Sequence, residues 1–380
     1  MEVEKLLKYM VDREASDAFI TVGVPPSLKI NGELKAVSES ALSEAQARAA
    51  VISVMTAAQR AEFDTHHECN FALQLDGIGR FRASAFYQRN QCGMVLRRIQ
   101  EQIPTFSELD LPPVMLDLAM AKRGLVIFVG ATGTGKSTSL AAMIGHRNLH
   151  GSGHIVTIED PIEFVHRHRG CIVTQREVGI DTDSFDVALK NTLRQAPDVI
   201  MIGEVRSRET MEKAITFAET GHLCLCTLHA NNANQALDRI QHFFPTDRQQ
   251  QVWMDLSLNL RGIVAQQLIP KRDGSGRAAI IEVMLNSPLM SERIRKGEVH
   301  LMKELMAKSK EAGMQTFDQA LFVAVKAGKI SAEDALLYAD SANELRLMMK
   351  LDGSDPQLSS DAPNLTFDDS GLGTRKNLFT

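Results

Sequence analysis

Long apolar runs, a cysteine framework and an excess of positive charge are all missing from this 380-residue sequence. No apolar run reaches the ~18 residues of a transmembrane helix, and Met1–Glu14 lacks the unbroken apolar stretch of a secretory signal. Lys and Arg number 42 against 47 Asp and Glu, so a formal net charge of -5 gives no general attraction to nucleic acid or anionic lipid. These absences predict a cytoplasmic protein that neither inserts into a membrane nor binds nucleic acid.

Cysteine is scarce and scattered. The five residues are odd in number, which fits a reducing compartment better than a disulfide framework. Cys224 and Cys226 alternate with leucine in an apolar run, and we expect them to be buried strand residues rather than metal ligands.

The first hundred residues predict a small α+β module. Its signals are an amphipathic helix, two hairpin turns of the Asn-Gly and Asp-Gly type, and alternating strands. They lie at Val3–Val11, Ala18–Val22, Asn31-Gly32, Asp76-Gly77 and Met94–Ile99. A capping box at Ser43 predicts one helix that runs to about Phe63.

After a proline-containing stretch, the pattern changes to apolar runs separated by helical spacings, which is typical of a parallel sheet covered by helices. The runs are Leu125–Val129, Ile155–Ile158, Val199–Ile202 and Leu223–Cys226, and each is predicted to be a central strand. The predicted organisation is an N-terminal domain over residues 1–100, a linker over 101–115, an α/β domain over 116–351 and a disordered tail over 352–380.

A phosphate-binding loop follows the first of these runs and opens a predicted helix. Its residues are Gly130, Ala131, Thr132, Gly133, Thr134, Gly135, Lys136, Ser137 and Thr138, which fit the Gly-x4-Gly-Lys-Ser/Thr pattern of a P-loop. Glycines let backbone N–H groups converge on a phosphate, Lys136 reaches the β and γ oxygens, and Ser137 places its hydroxyl on Mg²⁺. The sequence therefore predicts binding of a nucleoside triphosphate, ATP or GTP, with Mg²⁺.

Carboxylates stand where two of the apolar runs end. Glu159, Asp160 and Glu163 follow the second run, and Glu204 follows the third. The carboxyl ends of parallel strands bind ligands in open α/β sheets, so we expect these groups to face the phosphates. Glu204 is the candidate to orient or deprotonate the attacking water. Gly203 stands where P-loop ATPases usually have an aspartate, so the sequence predicts that Mg²⁺ relies on Ser137, phosphate oxygens and waters.

Two histidines flank the fourth run. His222 precedes it and His229 follows it, a spacing that disfavours a shared metal ion. A histidine at the carboxyl edge of the sheet can hydrogen-bond a γ-phosphate or a carboxylate and respond to the nucleotide.

The stretch Leu193–Arg206 resembles the signature of the bacterial secretion ATPases of type II and type IV pilus systems. Gly124–Ser139, Thr157–His166 and Glu219–His229 resemble the Walker A, acidic and histidine boxes of that family, and the resemblance extends to about residue 350. Within the family, the chain is most similar to the pilus retraction branch of PilT and PilU proteins, and to the PilU group in particular.

Two departures from the family pattern stand out. Ser207 replaces the usual aspartate of the signature, and Pro288–Arg295 replaces a helix that contains Ala-Ile-Arg-Asn in PilT proteins. The second departure favours the PilU group, which the family pattern presents as an accessory to PilT. Assembly and type II secretion ATPases often carry a four-cysteine zinc element and a longer N-terminal region, and neither is found in this sequence.

The resemblance implies a RecA-like P-loop core with an N-terminal PAS-like domain, assembled as a homo-hexamer with ATP between domains and subunits. It implies ATP hydrolysis coupled to pilus disassembly and twitching motility, with Glu204, Glu163, His222 and His229 as catalytic residues. Arg82 and Arg97 become the candidates for arginines that stabilise γ-phosphate charge, with Arg123 a weaker third. The implied partners are a sibling retraction ATPase and an inner-membrane platform protein at the pilus base, with the linker near Pro104–Pro113 as a hinge.

Two other functions fit part of the pattern. A ring-forming adaptor, whose nucleotide pocket serves assembly, is motivated by the altered segment Leu289–Arg295. A P-loop kinase is disfavoured because the sequence shows no acceptor site or lid pattern.

Overall fold

The computed structural model describes residues 2–30, 32–99 and 102–352, and the predicted tail lies outside these residues except for Asp352. The chain divides into two compact units. The first runs up to Leu268 and includes Ala279–Thr316. The second consists, among the described residues, of Ile269–Ala278 and those from Phe317 onward.

The N-terminal part of the first unit contains a sheet of six strands, and all five neighbouring pairs in it are antiparallel. The order is β3-β2-β1-β6-β5-β4, and the elements are α1 Val3–Asp12, β1 Asp17–Ile20, β2 Ser27–Ile30, β3 Glu33–Ala36, α2 Glu44–Ser53, α3 Ala57–His66, β4 Glu68–Leu75, β5 Gly79–Gln88 and β6 Gln91–Ile99. Alternating apolar residues of the strands and the apolar face of α1 form one buried core between Val3 and Leu96.

Local sequence explains two features of this sheet. The prediction of one helix from Ser43 to about Phe63 is wrong, because Thr56 and Gln59 form a second capping box that begins α3 after α2 has ended at Ser53. Strand β6 begins earlier than predicted, since Arg89 and Asn90 adopt φ of 47° and 63° and make a two-residue turn from β5.

The described residues from 102 onward contain a seven-stranded sheet and the remaining helices. The elements are α4 Phe106–Leu109, α5 Val114–Met120, β7 Gly124–Val129, α6 Lys136–His150, β8 Gly153–Glu159, β9 Cys171–Glu177, α7 Phe185–Thr192, β10 Val199–Ile202, α8 Arg208–Glu219, β11 Leu223–Leu228, α9 Ala233–His242, α10 Thr246–Asn259, β12 Leu260–Pro270, β13 Arg277–Leu285, α11 Pro288–Lys296, α12 Met302–Lys308, α13 Phe317–Lys326, α14 Ala332–Tyr338 and α15 Ala342–Leu351. The strand order is β13-β12-β7-β11-β10-β8-β9.

All four predicted runs are strands in the interior of this sheet, and every residue of β7, β10 and β11 is buried. Neighbours from β12 to β9 are parallel, so their carboxyl ends meet at one edge. Ile202 pairs with Ile158 on one side and Cys226 on the other. The residues that follow these three positions therefore stand level with one another at the edge that carries the P-loop.

Candidate nucleotide-binding site

The loop between β7 and α6 has a backbone that only glycine allows. Gly130 has φ of 153°, and a Cβ there would lie 2.5 Å from Thr134 Oγ1 and 2.6 Å from the Gln266 carbonyl oxygen. Gly135 precedes α6 with φ of 85°, and a Cβ would lie 2.8 Å from Gln266 Nε2. The loop is thus shaped by its own threonine and by β12, with its N–H groups at the start of a 15-residue helix.

Lys136 lies across the loop. Its Nζ donates to the carbonyl oxygens of Gly130 and Ala131, at 2.8 Å each. Burial lowers the pKa of Lys136, and the charges of Glu204 and Glu163 act in the opposite direction. The ammonium group is therefore close enough to both carboxylates to interact with them electrostatically.

A cleft of about 300 Å³ opens beside the loop at the carboxyl edge of the sheet. It brings together the P-loop, the ends of β8, β10 and β11, and one face of α6. Its polar lining includes Thr132, Lys136, Ser137, Glu159, Asp160, Glu163, His166, Glu204, Arg206, Thr227 and His229. The cleft is of a size that suits a phosphate group with its surrounding waters.

Glu204 has a basic side chain at each of its two oxygens. His229 Nε2 lies 2.9 Å from Oε1, while Nε and Nη2 of Arg206 both lie 2.7 Å from Oε2. Arg206 also reaches Asp160, with 3.6 Å between Nη1 and Oδ2. The side chain of Glu204 is 18% exposed, so this arrangement fixes a carboxylate at the strand end with a small part of it open to the cleft.

Glu159 lies at the end of the neighbouring strand in a different environment. Its side chain is buried and accepts hydrogen bonds from Thr157 Oγ1 at 2.6 Å and from Gln175 Nε2 at 3.2 Å. Burial raises the pKa of Glu159 to about 7, against smaller opposing effects of these donors. This carboxyl group therefore changes charge near neutral pH.

Gly203 lies level with Glu159 and Thr227, at a point where β8 and β10 come too close together to leave space for a larger residue. A Cβ at this position would lie 3.1 Å from Glu159 Cα and 3.2 Å from the Ile158 carbonyl oxygen. The Gly203 N–H donates to that same oxygen at 2.7 Å, and its own carbonyl accepts from Thr227 Oγ1. The close approach of β8 and β10 thus favours glycine at a position where P-loop ATPases usually have an aspartate.

Not every predicted residue lies at this cleft. His222 precedes β11, at the opposite edge of the sheet, where its Nδ1 contacts Thr220 Oγ1 at 3.0 Å. Arg97 lies on β6, where its Nε donates to Asp17 at 2.7 Å, and Arg82 lies on β5. The roles assigned to these three residues at the phosphates therefore stay predictions.

Three residues of the site were not assigned a role from the sequence. Arg206 could have been found, because it lies two positions after Glu204 at the end of the same strand. His166 is 8% exposed, and its Nδ1 has no hydrogen-bond partner within the described part of the chain. Gln175 comes from β9, a strand that the pattern did not predict, so no local signal pointed to it.

The described ranges contain no group of three or more His, Cys, Asp or Glu side chains arranged to hold a metal ion by themselves. The use of Ser137, phosphate oxygens and waters by Mg²⁺ stays a prediction. Among the helices of the same residues, none has the length and apolar character needed to cross a membrane.

Comparison with known proteins gives one family throughout. The model of the family described as type II/IV secretion system protein matches residues 2–337. The chain is 67% identical to the type IV pilus ATPase PilU of Pseudomonas aeruginosa over 372 residues, which are 98% of this chain and 96% of that protein. It is 39% identical to the type IV pilus retractation ATPase PilT of the same organism, over 88% of this chain and 97% of that one.

Solved structures agree with the sequence comparison. The crystal structure of the pilus retraction motor PilT with bound ADP matches with a TM-score of 0.85 and 39% identity, over 90% of this chain and 98% of that one. The ATPase DotB of Legionella pneumophila, with a TM-score of 0.74 and 24% identity, shares the fold. The predicted fold class, an α/β P-loop core of the RecA-like type with an N-terminal PAS-like α+β domain, is confirmed.

Proposed function

The chain belongs to the type II/IV secretion system protein family, and we propose that it is an ATP-hydrolysing motor of type IV pilus retraction. The observation that supports this best is one cleft that holds Lys136 of the P-loop together with Glu204, Glu163 and His229. A nucleotide-binding protein without turnover would not need carboxylates beside the γ-phosphate position. In type IV pilus systems, such a motor drives twitching motility.

The residues of the cleft have different roles in hydrolysis. Lys136 holds the β and γ oxygens, and Glu204, fixed by Arg206 and His229, orients the attacking water and accepts its proton. Glu163 supplies a second carboxylate that lines the cleft. Hydrolysis then follows from positioning and charge stabilisation.

The donor set fits ATP with Mg²⁺. At Gly130 and Gly135 a Cβ would collide with Thr134 or Gln266, so this loop conformation needs glycine, and Ser137 lines the cleft beside the carboxylates. Ser137, with waters oriented by Glu204 and Asp160, would hold the Mg²⁺ ion. When bound, the metal ion neutralises charge on the phosphate oxygens.

Assembly completes the proposed motor. A homo-hexameric ring would bring Arg82 and Arg97 of the N-terminal sheet to the nucleotide, and the segment 101–115 between that domain and residues 116–351 would act as the hinge. The proposed partners are a sibling retraction ATPase and an inner-membrane platform protein, which would place the ring at the cytoplasmic face of the pilus base. Deleting the gene alone and together with its sibling, followed by imaging of pilus retraction, tests these partnerships.

The experiment that tests the catalytic proposal is Glu204→Gln. The amide keeps the shape of the side chain, but it carries no charge to attract Arg206 and cannot accept a proton from water, so turnover should fall at least about 10²-fold. Nucleotide binding, measured by fluorescence titration, should stay the same. Glu212→Gln is the matched control, because that carboxylate pairs with Arg208 on the exposed face of α8. Unchanged turnover in Glu204→Gln would contradict the role of Glu204.

A ring adaptor that supports a partner motor is the second candidate. The altered segment forms helix α11, which buries Met290 and Ile294 and leaves Leu289 46% exposed for a partner. The ATPase rate of the purified protein, with and without the sibling motor, separates the two functions. Robust turnover by the protein alone contradicts the adaptor.

A further inference from the structure

The residues 160–166, here called the acidic segment, carry Glu163 into the cleft. The segment leaves the end of β8 at Glu159 and lies outside the regular helices and strands. A carboxylate on such a segment acts on a phosphate only if the main chain around it is held in place, since a misplacement of about 1 Å can cost about 10²-fold in rate.

A single amide side chain of β9 contacts the acidic segment at two points. Gln175 Oε1 accepts from the His166 N–H at 2.7 Å, and Gln175 Nε2 donates to the Phe164 carbonyl oxygen at 2.8 Å. The same Nε2 lies 3.2 Å from Glu159 Oε1. One side chain therefore ties the far end of the segment to the carboxylate at its beginning.

A second side chain of β9, two residues further on, contacts the segment in the middle. Glu177 is buried, and its Oε2 accepts from the Ile162 N–H at 3.3 Å. Burial raises the pKa of Glu177, while the charges of Arg82 and Arg80 on β5 act against this rise. The middle of the acidic segment is thus linked through Glu177 to the N-terminal sheet.

The contacts of Gln175 add little to the sheet itself. Strands β8 and β9 pair through seven residues of main chain, from Gly153 with Cys171 to Glu159 with Glu177. Removing the amide of Gln175 would leave this pairing in place and release Phe164 and His166 from the strand. The side chain thus holds the segment rather than the strand.

We propose that Gln175 is a positioning residue for ATP hydrolysis, which holds the acidic segment so that Glu163 faces the phosphates. This inference rests on the proposed ATPase function. On this proposal, hydrolysis needs more than the P-loop and the carboxylates at the strand ends. It also needs β9, an edge strand of the sheet, to hold one wall of the cleft in place.

The test uses the full chain with Gln175→Met, which keeps the length of the side chain and removes all three hydrogen bonds. We expect kcat to fall about 10²-fold, with KM and the affinity for a fluorescent ADP analogue within threefold of wild type. Gln249→Met is the matched control, because that half-buried amide also bonds main-chain oxygens but lies on α10, away from the cleft. A kcat within threefold of wild type, or a loss of ADP affinity in step with the loss of kcat, overturns the proposal.

Hydrogen–deuterium exchange of the peptide that covers residues 162–166 provides a second measurement. Exchange should accelerate in Gln175→Met in this peptide, with β8 unchanged, and equal exchange in the two proteins overturns the proposal. If the methionine variant does not fold, Gln175→Asn makes the same tests, because its amide falls one methylene short of the segment. Wild-type turnover is measured first: its absence contradicts the ATPase function, and the exchange experiment then still decides on the contacts of Gln175.

Discussion

The two sides of the cleft place a carboxylate in different surroundings. On the cationic side, at the ends of β10 and β11, Glu204 is surrounded by Arg206 and His229. On the neutral side, at the ends of β8 and β9, Glu159 is buried and bonded to Thr157 and Gln175. The two residues end neighbouring strands of one sheet, so the difference comes from their partners and burial and not from their place in the fold.

This difference separates two kinds of chemistry. A carboxylate with an arginine at one oxygen and a histidine at the other is fixed in place and is suited to hold a water in one orientation. A buried carboxyl with a pKa near 7 can take up or release a proton around neutral pH. The cleft thereby contains one carboxylate that is fixed by two basic side chains and one buried carboxyl that titrates near neutral pH.

The largest effect is expected on the cationic side, from Arg206→Ala. Glu204 would keep only His229, and its carboxylate would lose the contact that fixes Oε2, so kcat should fall about 10³-fold, or about 4 kcal/mol. Steady-state ATPase rates check this. Arg208→Ala removes a comparable ion pair with Glu212 on exposed α8 and should leave the rate unchanged. A similar loss in both variants would show that the effect is not specific to the cleft.

The neutral side predicts a different outcome for the equivalent change, Glu159→Gln. Since the folded pKa of Glu159 is raised from 4.5 to about 7, the unfolded chain ionises first as pH rises, and wild type loses stability between about pH 4.5 and 7. The amide does not ionise. As pH rises from 5 to 8, the free energy of unfolding, measured with urea, should therefore fall by about 2 to 3 kcal/mol less in the variant than in wild type.

Turnover at pH 6 should stay within about threefold of wild type in Glu159→Gln, because the amide resembles the protonated carboxyl that burial favours. The same change at Glu212, which is exposed and paired with Arg208, is the control for the stability measurement. If Glu159→Gln abolishes turnover as Glu204→Gln is expected to do, the contrast between the two sides does not hold.

His166 extends the comparison to a base, because burial lowers the pKa of a histidine whereas it raises the pKa of a carboxyl group. Burial lowers the pKa of His166 from 6.5 to about 4, so the unfolded chain binds the proton first and the folded state loses stability as pH falls from 6.5 towards 4. At pH 5 this loss is about 2 kcal/mol. His166→Leu should remove it in urea unfolding, whereas His242→Leu, at an exposed position, should not.

The smallest effect is expected from Thr157→Val, which removes one donor from Glu159 with little change of shape. The lost hydrogen bond should lower the free energy of unfolding at pH 8 by about 1 kcal/mol. Thr216→Val, where the hydroxyl bonds the Glu212 carbonyl on an exposed helix face, is the matched control. Equal losses in the two variants would show that burial of the acceptor adds nothing.

Much of the fold follows from patterns of short range. The four apolar runs became inner strands because fully buried parallel strands need continuous apolar residues. The P-loop was evident from the spacing of Gly130, Gly135, Lys136 and Ser137 within eight consecutive positions. The helix from Ser43 was predicted too long, because its apolar spacing continues past a second capping box at Thr56.

The site was predicted only where its residues stand at strand ends. Glu204 and His229 follow apolar runs, so their meeting at the cleft could be expected from parallel topology. Gln175 is 16 positions from Glu159 and reaches it through the pairing of β8 with β9, and an alternating strand such as β9 gives only a weak signal. The burial that sets the charge of Glu159 is likewise a property of packing, which no local pattern contains.

Gly203 has a consequence for how this site can change in evolution. An aspartate there would require the backbone at Glu159 to move by a few tenths of an ångström, and it would add a second acid beside one that is already buried. Glycine at 203 therefore suits a buried glutamate at 159, whereas an aspartate there would place two acids side by side. Related sequences that have an acidic side chain at position 203 are expected to lack the glutamate at 159, so the two positions should covary.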